Sequence, residues 1–451
     1  MREFKSFYFE KFSFDKQNLL AKFEYSFDES YFFTEEINFS SVDFFVRKNL
    51  NEHIINNFLF SLHIAIGISY YKSFPTEKLF VKSGILDEKQ IHFWQKFYKN
   101  GLGEFLFINK ISPDNLFQFE NIGVTRYEKI DFSLSEKSLI PLGGGKDSLV
   151  SIDLFTKSKL DYDLVVFGKI DDIKQNCARV LDKKILLITR KISPSLLVLN
   201  NEGNYNGHVP ITGIIAFVLA FTSYLYDYKY LVLSNEKSAS VGNTFWNDFE
   251  INHQYSKSLE FENDFKDYLD NYLSKDIAYF SLLRGWYEIK IGEYFAKNCK
   301  KFFGVFSSCN NNFKIDETKR LKQTIWCNSC PKCAFVFAIL RPYLSNDEIL
   351  SIFGEDLFLK QDLKQTFLEL LGISAFKPFE CVGEVEEVVL VFYKSLKLYK
   401  NDESDILNEF VKNISGKYDE KYFKDLEEKF ATIYDDDIIP QKIKEIILKN
   451  I

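Results

Sequence analysis

Three successive glycines between a short apolar strand and a helix constrain the fold more than any other feature of this chain. The strand pattern from Leu139 to Leu142 runs into Gly143, Gly144 and Gly145, and a helix is predicted from Asp147. Because glycine has no Cβ, such a loop can adopt positive φ and bring its N–H groups against an anion, which the helix dipole also attracts. The segment therefore predicts a phosphate-binding loop at the carboxyl end of a strand.

The spacing of this loop excludes the two commonest phosphate-binding motifs. A Walker A loop would need glycine instead of Ile140, and serine or threonine directly after Lys146. A dinucleotide-binding fingerprint would need glycine in place of Ser148. The run from Gly143 to Ser148 instead resembles the PP-loop of the ATP pyrophosphatases, usually Ser-Gly-Gly-x-Asp-Ser, with Gly143 replacing the first serine. A glycine-rich turn without a ligand is the alternative.

Length, charge and hydropathy limit the class of protein. A chain of 451 residues exceeds a single hydrophobic core, so two or three domains are expected. The net charge of −7, without a basic stripe, disfavours nucleic acid as the main partner. The N-terminus has no signal-peptide pattern, and the uncharged stretch from His208 to Tyr226 is predicted to be a buried helix starting near Pro210. These features predict a cytoplasmic protein without stable membrane insertion.

Patterning along the chain predicts three regions. Residues 1–133 combine strand-like runs, Ala21 to Phe27 and Phe105 to Asn109, with a helix near Asn51 to Ser73, which is typical of an α+β domain. Residues 134–342 alternate strands and helices and form the predicted ATP-binding catalytic region. Residues 343–451 are predicted to be mostly helical with a charged surface.

The middle region predicts an α/β fold with a doubly wound, Rossmann-like parallel sheet. Its short apolar runs, with helices between them, indicate strands that are buried on both faces. In such a sheet, ligands bind at the carboxyl ends of the strands. The predicted strands are Leu139 to Leu142, Leu164 to Phe167, Ile185 to Ile188 and Tyr230 to Ser234.

The cysteines indicate a metal site more than a disulfide framework. Cys327, Cys330 and Cys333 follow a C-x2-C-x2-C spacing, and Cys309 lies eighteen residues before the first of them. Four thiols are the set that tetrahedral Zn²⁺ prefers, and the arrangement resembles the zinc site of the PP-loop enzymes that make 7-cyano-7-deazaguanine. Free thiols and an iron–sulfur cluster stay open as alternatives, because the cysteine pattern alone does not separate zinc from iron.

Several polar residues follow the predicted strands, where a nucleotide is expected to bind. Asn235 and Glu236 lie just beyond the last strand. His253 and Lys257, four residues apart at the start of a helix, would share a face and could bind an anion or transfer a proton. His208 is a further candidate of this kind, and a structural role is the alternative for each residue.

A compact turn from Phe376 to Gly383 follows the cysteine segment. It holds Lys377, Glu380 and Cys381 beside a proline and a glycine. Such a turn could be a linker or a loop that folds back over the active site.

Five segments together resemble the UDP-N-acetylmuramoyl-L-alanyl-L-glutamate epimerases. The resemblance spans nearly the whole chain and is strongest from residue 138 to residue 383. It implies an enzyme that inverts the terminal L-Glu of a UDP-linked muramoyl dipeptide to D-Glu during peptidoglycan precursor synthesis, consuming ATP with Mg²⁺ and releasing AMP and pyrophosphate. The segments are Pro141 to Ser148, Ser234 to Ser240, His253 to Phe261, Trp326 to Cys333 and Lys377 to Gly383.

The resemblance also implies roles for individual residues. The loop from Gly143 to Ser148 would hold the leaving pyrophosphate, Asp147 would act with Mg²⁺, and Lys146 would assist. The residues that move the Cα proton stay unassigned. The candidates are His253, Lys257 and His208 by residue type, and Glu236 and Cys381 by expected location.

Two other functions stay open at this point. The first is another PP-loop adenylating enzyme, such as an amide- or nitrile-forming ligase or a tRNA-modifying enzyme, although a tRNA substrate should require a basic face. The second is a nucleotide-binding regulator that has lost catalysis, for which the glycine at position 143 is the sequence hint.

Overall fold

The structure is a computed structural model that describes residues 4–246, 248–312, 325–374, 378–400, 402–435 and 437–449. Its strands are β1 (Ser6–Asp15), β2 (Leu20–Phe27), β3 (Tyr31–Asn38), β4 (Lys78–Val81), β5 (Gln118–Asn121), β6 (Ser138–Pro141), β7 (Tyr162–Phe167), β8 (Ile185–Lys191), β9 (Tyr230–Leu233), β10 (Thr244–Trp246), β11 (Phe249–Ile251) and β12 (Ala278–Ser281).

The α-helices surround these strands and continue beyond the last of them. They are α1 (Glu52–Tyr71), α2 (Glu88–Gly101), α3 (Gly103–Asn109), α4 (Lys146–Lys157), α5 (Asp172–Leu181), α6 (Pro194–Asn201), α7 (Ile211–Tyr226), α8 (Leu259–Tyr268), α9 (Glu288–Asn298), α10 (Pro331–Leu340), α11 (Asn346–Phe353), α12 (Lys364–Leu370), α13 (Val385–Ser395), α14 (Asp405–Asn413), α15 (Glu420–Ala431) and α16 (Gln441–Leu448).

Ten strands form one continuous sheet in the order β12-β9-β6-β7-β8-β3-β2-β1-β4-β5. The five strands from β12 to β8 are parallel to one another. Strand β8 then pairs antiparallel with β3, so the N-terminal strands extend the central sheet. The predicted α/β fold with a largely parallel sheet is confirmed, whereas its assignment to the ATP pyrophosphatases and the division at residues 133 and 342 stay predictions.

Both faces of the central sheet are covered, because successive residues of a strand enter different hydrophobic cores. In β6, Leu139 packs into the core that contains α1 and α7, and Ile140 packs into the core that contains α4, α9 and α10. In β9, Leu231 likewise packs into the core with α1 and α7, and Val232 packs into the core with α4, α9 and α10. This double burial explains why these strands are unbroken apolar runs in the sequence.

Two apolar helices lie in the first of these cores. The predicted buried helix is α7, which follows Pro210 and has most of its residues buried. Helix α1 is long and apolar enough to cross a membrane by length and composition, and 94% of its apolar stretch is buried inside the protein.

The sequence prediction was wrong for the run from Phe105 to Asn109, which is the body of α3 and not a strand. Phe105 and Leu106 are both buried although they are adjacent, which a half-exposed strand would not allow. The Asn109 side-chain amide donates to the carbonyl of Phe105 at 2.8 Å, and Lys110 ends the helix with φ of +56°. Four apolar residues in a row fit one helical turn as well as a strand, and the packing decided between them.

Candidate active site

The three glycines connect β6 to α4 at the carboxyl edge of the parallel strands. Gly144 has φ of +84°, which L-residues rarely adopt, and Gly145 is the N-cap of α4. A Cβ on Gly144 would lie 2.7 Å from Cγ2 of Ile173, whereas the nearest described atom to one on Gly143 would be the Ser148 hydroxyl, at 3.9 Å. Glycine is therefore required at position 144, and position 143 has room for the serine of the usual pattern.

The loop is fixed through its carbonyl groups. The Ser307 N–H donates to the Gly144 carbonyl at 3.0 Å, and the Ser148 hydroxyl donates to the Gly145 carbonyl at 3.0 Å. Within the part of the chain that the structure describes, the N–H groups of Gly143, Gly144 and Gly145 donate no hydrogen bond. Free amides at a helix N-terminus are the arrangement that binds phosphate.

Lys146 and Asp147 begin α4 and form an ion-pair network with Glu288, the first residue of α9. The Lys146 ammonium is buried and donates to both carboxylates. Burial alone would lower the pKa of Lys146, but the charges of Asp147 and Glu288 raise it above its ordinary value. Burial also opposes ionisation of Asp147, yet neighbouring lysines, Lys146 first, lower its pKa. An ionised and partly exposed carboxylate therefore lies beside the glycine loop.

A second cluster surrounds Cys381, in the loop before α13. Nζ of Lys257 donates to Sγ of Cys381 at 3.2 Å. The His253 imidazole lies close enough to this sulfur for each group to shift the pKa of the other, and its Nδ1 bonds the carboxylate of Glu104 on α3. The ring of His208 lies 4.5 Å from that of His253, centroid to centroid, and its Nδ1 is 3.5 Å from the same carboxylate. The fold thus brings three predicted candidates together with the thiol.

The charges in this cluster favour a thiolate. Burial alone would raise the pKa of Cys381, but the positive charges of Lys257 and His253 lower it to about 6. Burial opposes the charge of His253, whereas the neighbouring Cys381 sulfur and Glu104 carboxylate raise the pKa of His253 to about 9. Burial and the charge of His253 lower the pKa of His208 to about 3. Near neutral pH the cluster holds a thiolate, an imidazolium and a neutral imidazole.

Two lysines connect the Cys381 cluster to the glycine loop. The Lys332 ammonium, on α10, donates to the backbone carbonyl of Cys381. The charges of Lys332 and Lys257 both lower the pKa of Asp147. Because a charge shifts a pKa only when it is near the titrating group, the two clusters are neighbours in the fold.

Asn235 and Glu236 follow β9 and are largely buried at the base of the site. Nδ2 of Asn235 donates to the Ser281 hydroxyl at 2.9 Å, which joins the ends of β9 and β12. Arg284 donates to the carbonyl of Glu236 at 2.8 Å and to the carbonyl of Lys257 at 2.7 Å. Arg284 therefore holds the two loops that carry these candidates.

The four predicted metal-ligating cysteines lie together. Their Sγ atoms are all within 4.8 Å of one another, with Cys330 and Cys333 at 3.5 Å and Cys327 and Cys333 at 3.7 Å. These separations are too long for disulfide bonds. They suit four thiolates around one ion at a Zn–S distance of about 2.3 Å, so the residues fit Zn²⁺.

This cysteine cluster lies next to the glycine loop. The Cys309 N–H donates to the Ser307 hydroxyl at 3.0 Å, and the Ser307 N–H in turn bonds Gly144. Helix α10 starts directly after Cys330 and carries Lys332. The cysteines therefore position both the glycine loop and a lysine that contacts Cys381.

Four charged residues of the site have no signal in the sequence. Glu288 resembles an ordinary acidic residue in a first helical turn, and Lys332 resembles a spacer between cysteines. Glu104 and Arg284 contact groups far away in the chain, and 149 positions separate Glu104 from His253. Phe376 and Lys377 of the predicted turn lie outside the described residues.

Comparison with known protein families gives two matches. Residues 1–282 match the family model of the MurL N-terminal domain, and residues 305–424 match that of the MurL C-terminal domain. The chain belongs to the MurL family. The predicted family membership is therefore confirmed.

Curated relatives agree with membership of the MurL family. Three of them are named UDP-N-acetyl-alpha-D-muramoyl-L-alanyl-L-glutamate epimerase. The protein of Xanthomonas oryzae pv. oryzae is 31% identical over 419 residues, covering 92% of this chain and 91% of its own length. The protein of Micromonospora sp. is 34% identical over 345 residues, covering 73% and 72%. That of Salinispora tropica is 33% identical over 399 residues, covering 86% and 84%. The predicted enzyme class, an epimerase, is confirmed.

Proposed function

We propose that this chain inverts the terminal L-Glu of UDP-MurNAc-L-Ala-L-Glu to D-Glu through an acyl-adenylate, with release of AMP and pyrophosphate. The names of three relatives support the substrate and the inversion. The observation that carries the ATP step is the glycine loop, whose free amides lie beside ionised Asp147. The product would be a D-Glu-containing precursor of peptidoglycan.

The chemistry explains why an epimerase would need a pyrophosphate-binding loop. A free carboxylate resists loss of the neighbouring Cα proton, because two negative charges would then share one small group. A mixed anhydride with AMP removes the carboxylate charge and makes the Cα–H more acidic. A base can then take the proton from one face while an acid returns it to the other, and hydrolysis of the anhydride frees the product.

The residues of the loop fit this role. The pyrophosphate would be held by the backbone amides from Gly143 to Gly145 and by Ser148. Asn235, at the end of the neighbouring strand, would contact the nucleotide. Asp147 fits Mg²⁺, because hard cations prefer ionised carboxylate ligands. Bound Mg²⁺ would offset the charge that develops on the leaving pyrophosphate. Lys146 would orient Asp147, since its ammonium bonds that carboxylate.

The proton-transfer groups would come from the Cys381 cluster. Lys257 bonds the thiol, the charge of His253 acts on it, and the ring of His208 lies against that of His253. The charge of Glu236 helps to raise the pKa of Lys257, so Glu236 lies near the same group.

We also propose that the four cysteines bind a structural Zn²⁺. The ion would hold the segment from Ser307 to Cys309, which bonds the glycine loop, against α10 and would supply no chemistry to the reaction. Metal analysis of protein purified without oxygen should find about one zinc per chain. A brown, sulfide-containing preparation would indicate iron, and metal-free protein with full activity would indicate free thiols.

The proposed partners are small molecules, and the proposed location is the cytoplasm, where ATP is available. The net charge of −7 argues against nucleic acid as a substrate. Recovery of the chain in a washed membrane fraction, or tight binding to tRNA at physiological salt, would contradict these proposals.

One incubation tests the reaction and the ATP step together. The protein is mixed with the L-Glu dipeptide precursor, ATP and Mg²⁺ in heavy water. Deuterium should enter the glutamyl Cα with inverted configuration, and AMP should form only when the precursor is present. The Asp147→Asn variant is the control, and it should release much less pyrophosphate.

Three outcomes would contradict the proposal. AMP formation with tRNA or a deazaguanine acid, but not with the dipeptide, would indicate another adenylating enzyme. Inversion without ATP would exclude an acyl-adenylate intermediate. Absence of turnover in both the unmodified protein and Asp147→Asn would indicate a regulator.

A further inference from the structure

The fold surrounds the Cys381 thiol with cations from separate segments of the chain. Lys257 reaches it from the turn before α8, and His253 reaches it from the segment after β11. Lys332 on α10 bonds its backbone carbonyl. Thiols beside cations are the ones that ionise and react.

The loop that carries Cys381 is held in a defined position. Nδ2 of Asn243 donates to the carbonyl of Pro378 at 3.0 Å, while its Oδ1 accepts from the N–H of His253 at 3.0 Å. The Asn310 amide bonds the carboxylate of Glu380. One asparagine therefore fixes the thiol loop and the imidazole relative to each other.

Two other cysteines show what burial does without such cations. Cys177 and Cys299 are fully buried in the hydrophobic core, and burial raises the pKa of each to about 12. Cys381 differs from them in its neighbours, which are ammonium and imidazolium groups.

We propose that Cys381 is the base that removes the Cα proton of the activated glutamyl residue, and that Glu104 is a positioning residue that holds the His253 imidazolium against the thiolate. The proposal rests on the proposed function, because an acyl-adenylate is the carbon acid that it requires. Within the cluster, Lys257 and His253 carry protons already, and the neutral His208 is a weak base because its pKa lies far below neutral. Of the sulfur and nitrogen groups of the cluster, the thiolate is the one that can accept a proton near neutral pH.

In this step Cys381 is the proton acceptor. The Cα–H bond breaks, its electron pair moves into the acyl carbonyl to form an enolate, and an S–H bond forms on Cys381. An acid in exchange with water then protonates the opposite face of Cα, which gives the D centre. The thiol returns its proton to solvent before the next turnover.

Cys381→Ala and Cys381→Ser test the assignment with two separate measurements. Exchange of labelled pyrophosphate into ATP, which depends on the dipeptide, reports acyl-adenylate formation. Deuterium incorporation at Cα reports proton transfer. Both variants should keep most of the exchange and should lose about 10²–10⁴-fold in deuterium incorporation. The matched control, Cys177→Ala, removes a core thiol outside the cluster and should keep both activities.

Each other outcome has a defined meaning. Deuterium incorporation at the unmodified rate in the Cys381 variants would overturn the proposal. Loss of pyrophosphate exchange in folded variants would also overturn it, because Cys381 would then act in the ATP step. A glutamyl adduct on Cys381, found by intact mass after acid quenching, would make the thiol a nucleophile and not a base. If the unmodified protein shows no dipeptide-dependent exchange, the proposed function itself fails.

Alkylation of the unmodified protein by iodoacetamide tests the thiolate without a Cys381 variant. Peptide mapping should find Cys381 modified well below the pH at which ordinary thiols react, with protection by ATP and the dipeptide. Cys177 and Cys299 serve as internal controls and should stay unmodified. In Glu104→Gln the pH midpoint of alkylation should move upward, and Glu104→Asp should restore it in part. The proposal would be overturned if the pH midpoint of Cys381 alkylation were that of an ordinary thiol. It would also be overturned if Glu104→Gln left this midpoint unchanged.

Discussion

The glycine at position 144 offers a quantitative test of the loop geometry. In Gly144→Ala an L-residue must adopt φ near +84°, and its methyl group must move away from a carbon of Ile173 at 2.7 Å. The left-handed conformation costs about 1–2 kcal/mol, and overpacking adds about 1–3 kcal/mol. The free energy of unfolding should therefore fall by about 2–5 kcal/mol.

Two other glycines separate these contributions. Gly203 has φ of +82°, and none of the described residues has an atom within 4 Å of an added Cβ there, so Gly203→Ala should lose only the conformational part, about 1–2 kcal/mol. Gly143 does not need positive φ, and the nearest described atom to an added Cβ lies at 3.9 Å, so Gly143→Ala should change stability by less than about 0.5 kcal/mol.

Urea unfolding of the three variants, followed by circular dichroism, measures these differences. Pyrophosphate exchange measured on the same preparations should fall most in Gly144→Ala, because the displaced loop no longer aims its amides at one phosphate. Equal stability of Gly144→Ala and Gly143→Ala would refute the reasoning, since it would mean that Gly144 does not adopt φ near +84° against Ile173.

Three further predictions concern the charges and the cysteines. The rate of deuterium incorporation should rise as pH increases through about 6, where Cys381 ionises, and should fall above about 9, where His253 loses its proton. A flat profile between pH 5 and 10 would contradict the assignment of Cys381 as the base. Arg284→Ala leaves the buried Glu262 carboxylate without its ion-pair partner and should reduce the free energy of unfolding by about 3–5 kcal/mol in urea experiments. The double variant Arg284→Ala with Glu262→Gln should recover part of this loss, because it removes the unpaired charge. Cys309→Ser should lower the bound zinc and weaken pyrophosphate exchange through the contact with the glycine loop, and unchanged values of both would argue against a structural role.

Much of the central sheet could be predicted because its strands are buried on both faces. The runs Leu164 to Phe167 and Ile185 to Ile188 lie within β7 and β8, which extend them by a few polar residues at one end. The strand predicted at Phe105 failed because a short apolar run carries no period that separates strand from helix. The pairing of β3 with β8 joins segments about 150 residues apart, and no local pattern encodes such a pairing.

The sequence by itself determined the features that are contiguous in the chain: the glycine loop, the cysteine spacing and the family resemblance. Each depends on backbone conformation or ligand number over a few neighbouring residues, so the residue types are sufficient. Only the tertiary structure decided the chemistry of Cys381. Its ionisation depends on Lys257 and His253, and on Glu104 behind His253, and electrostatic effects of this kind depend on distances in space that the chain order does not contain.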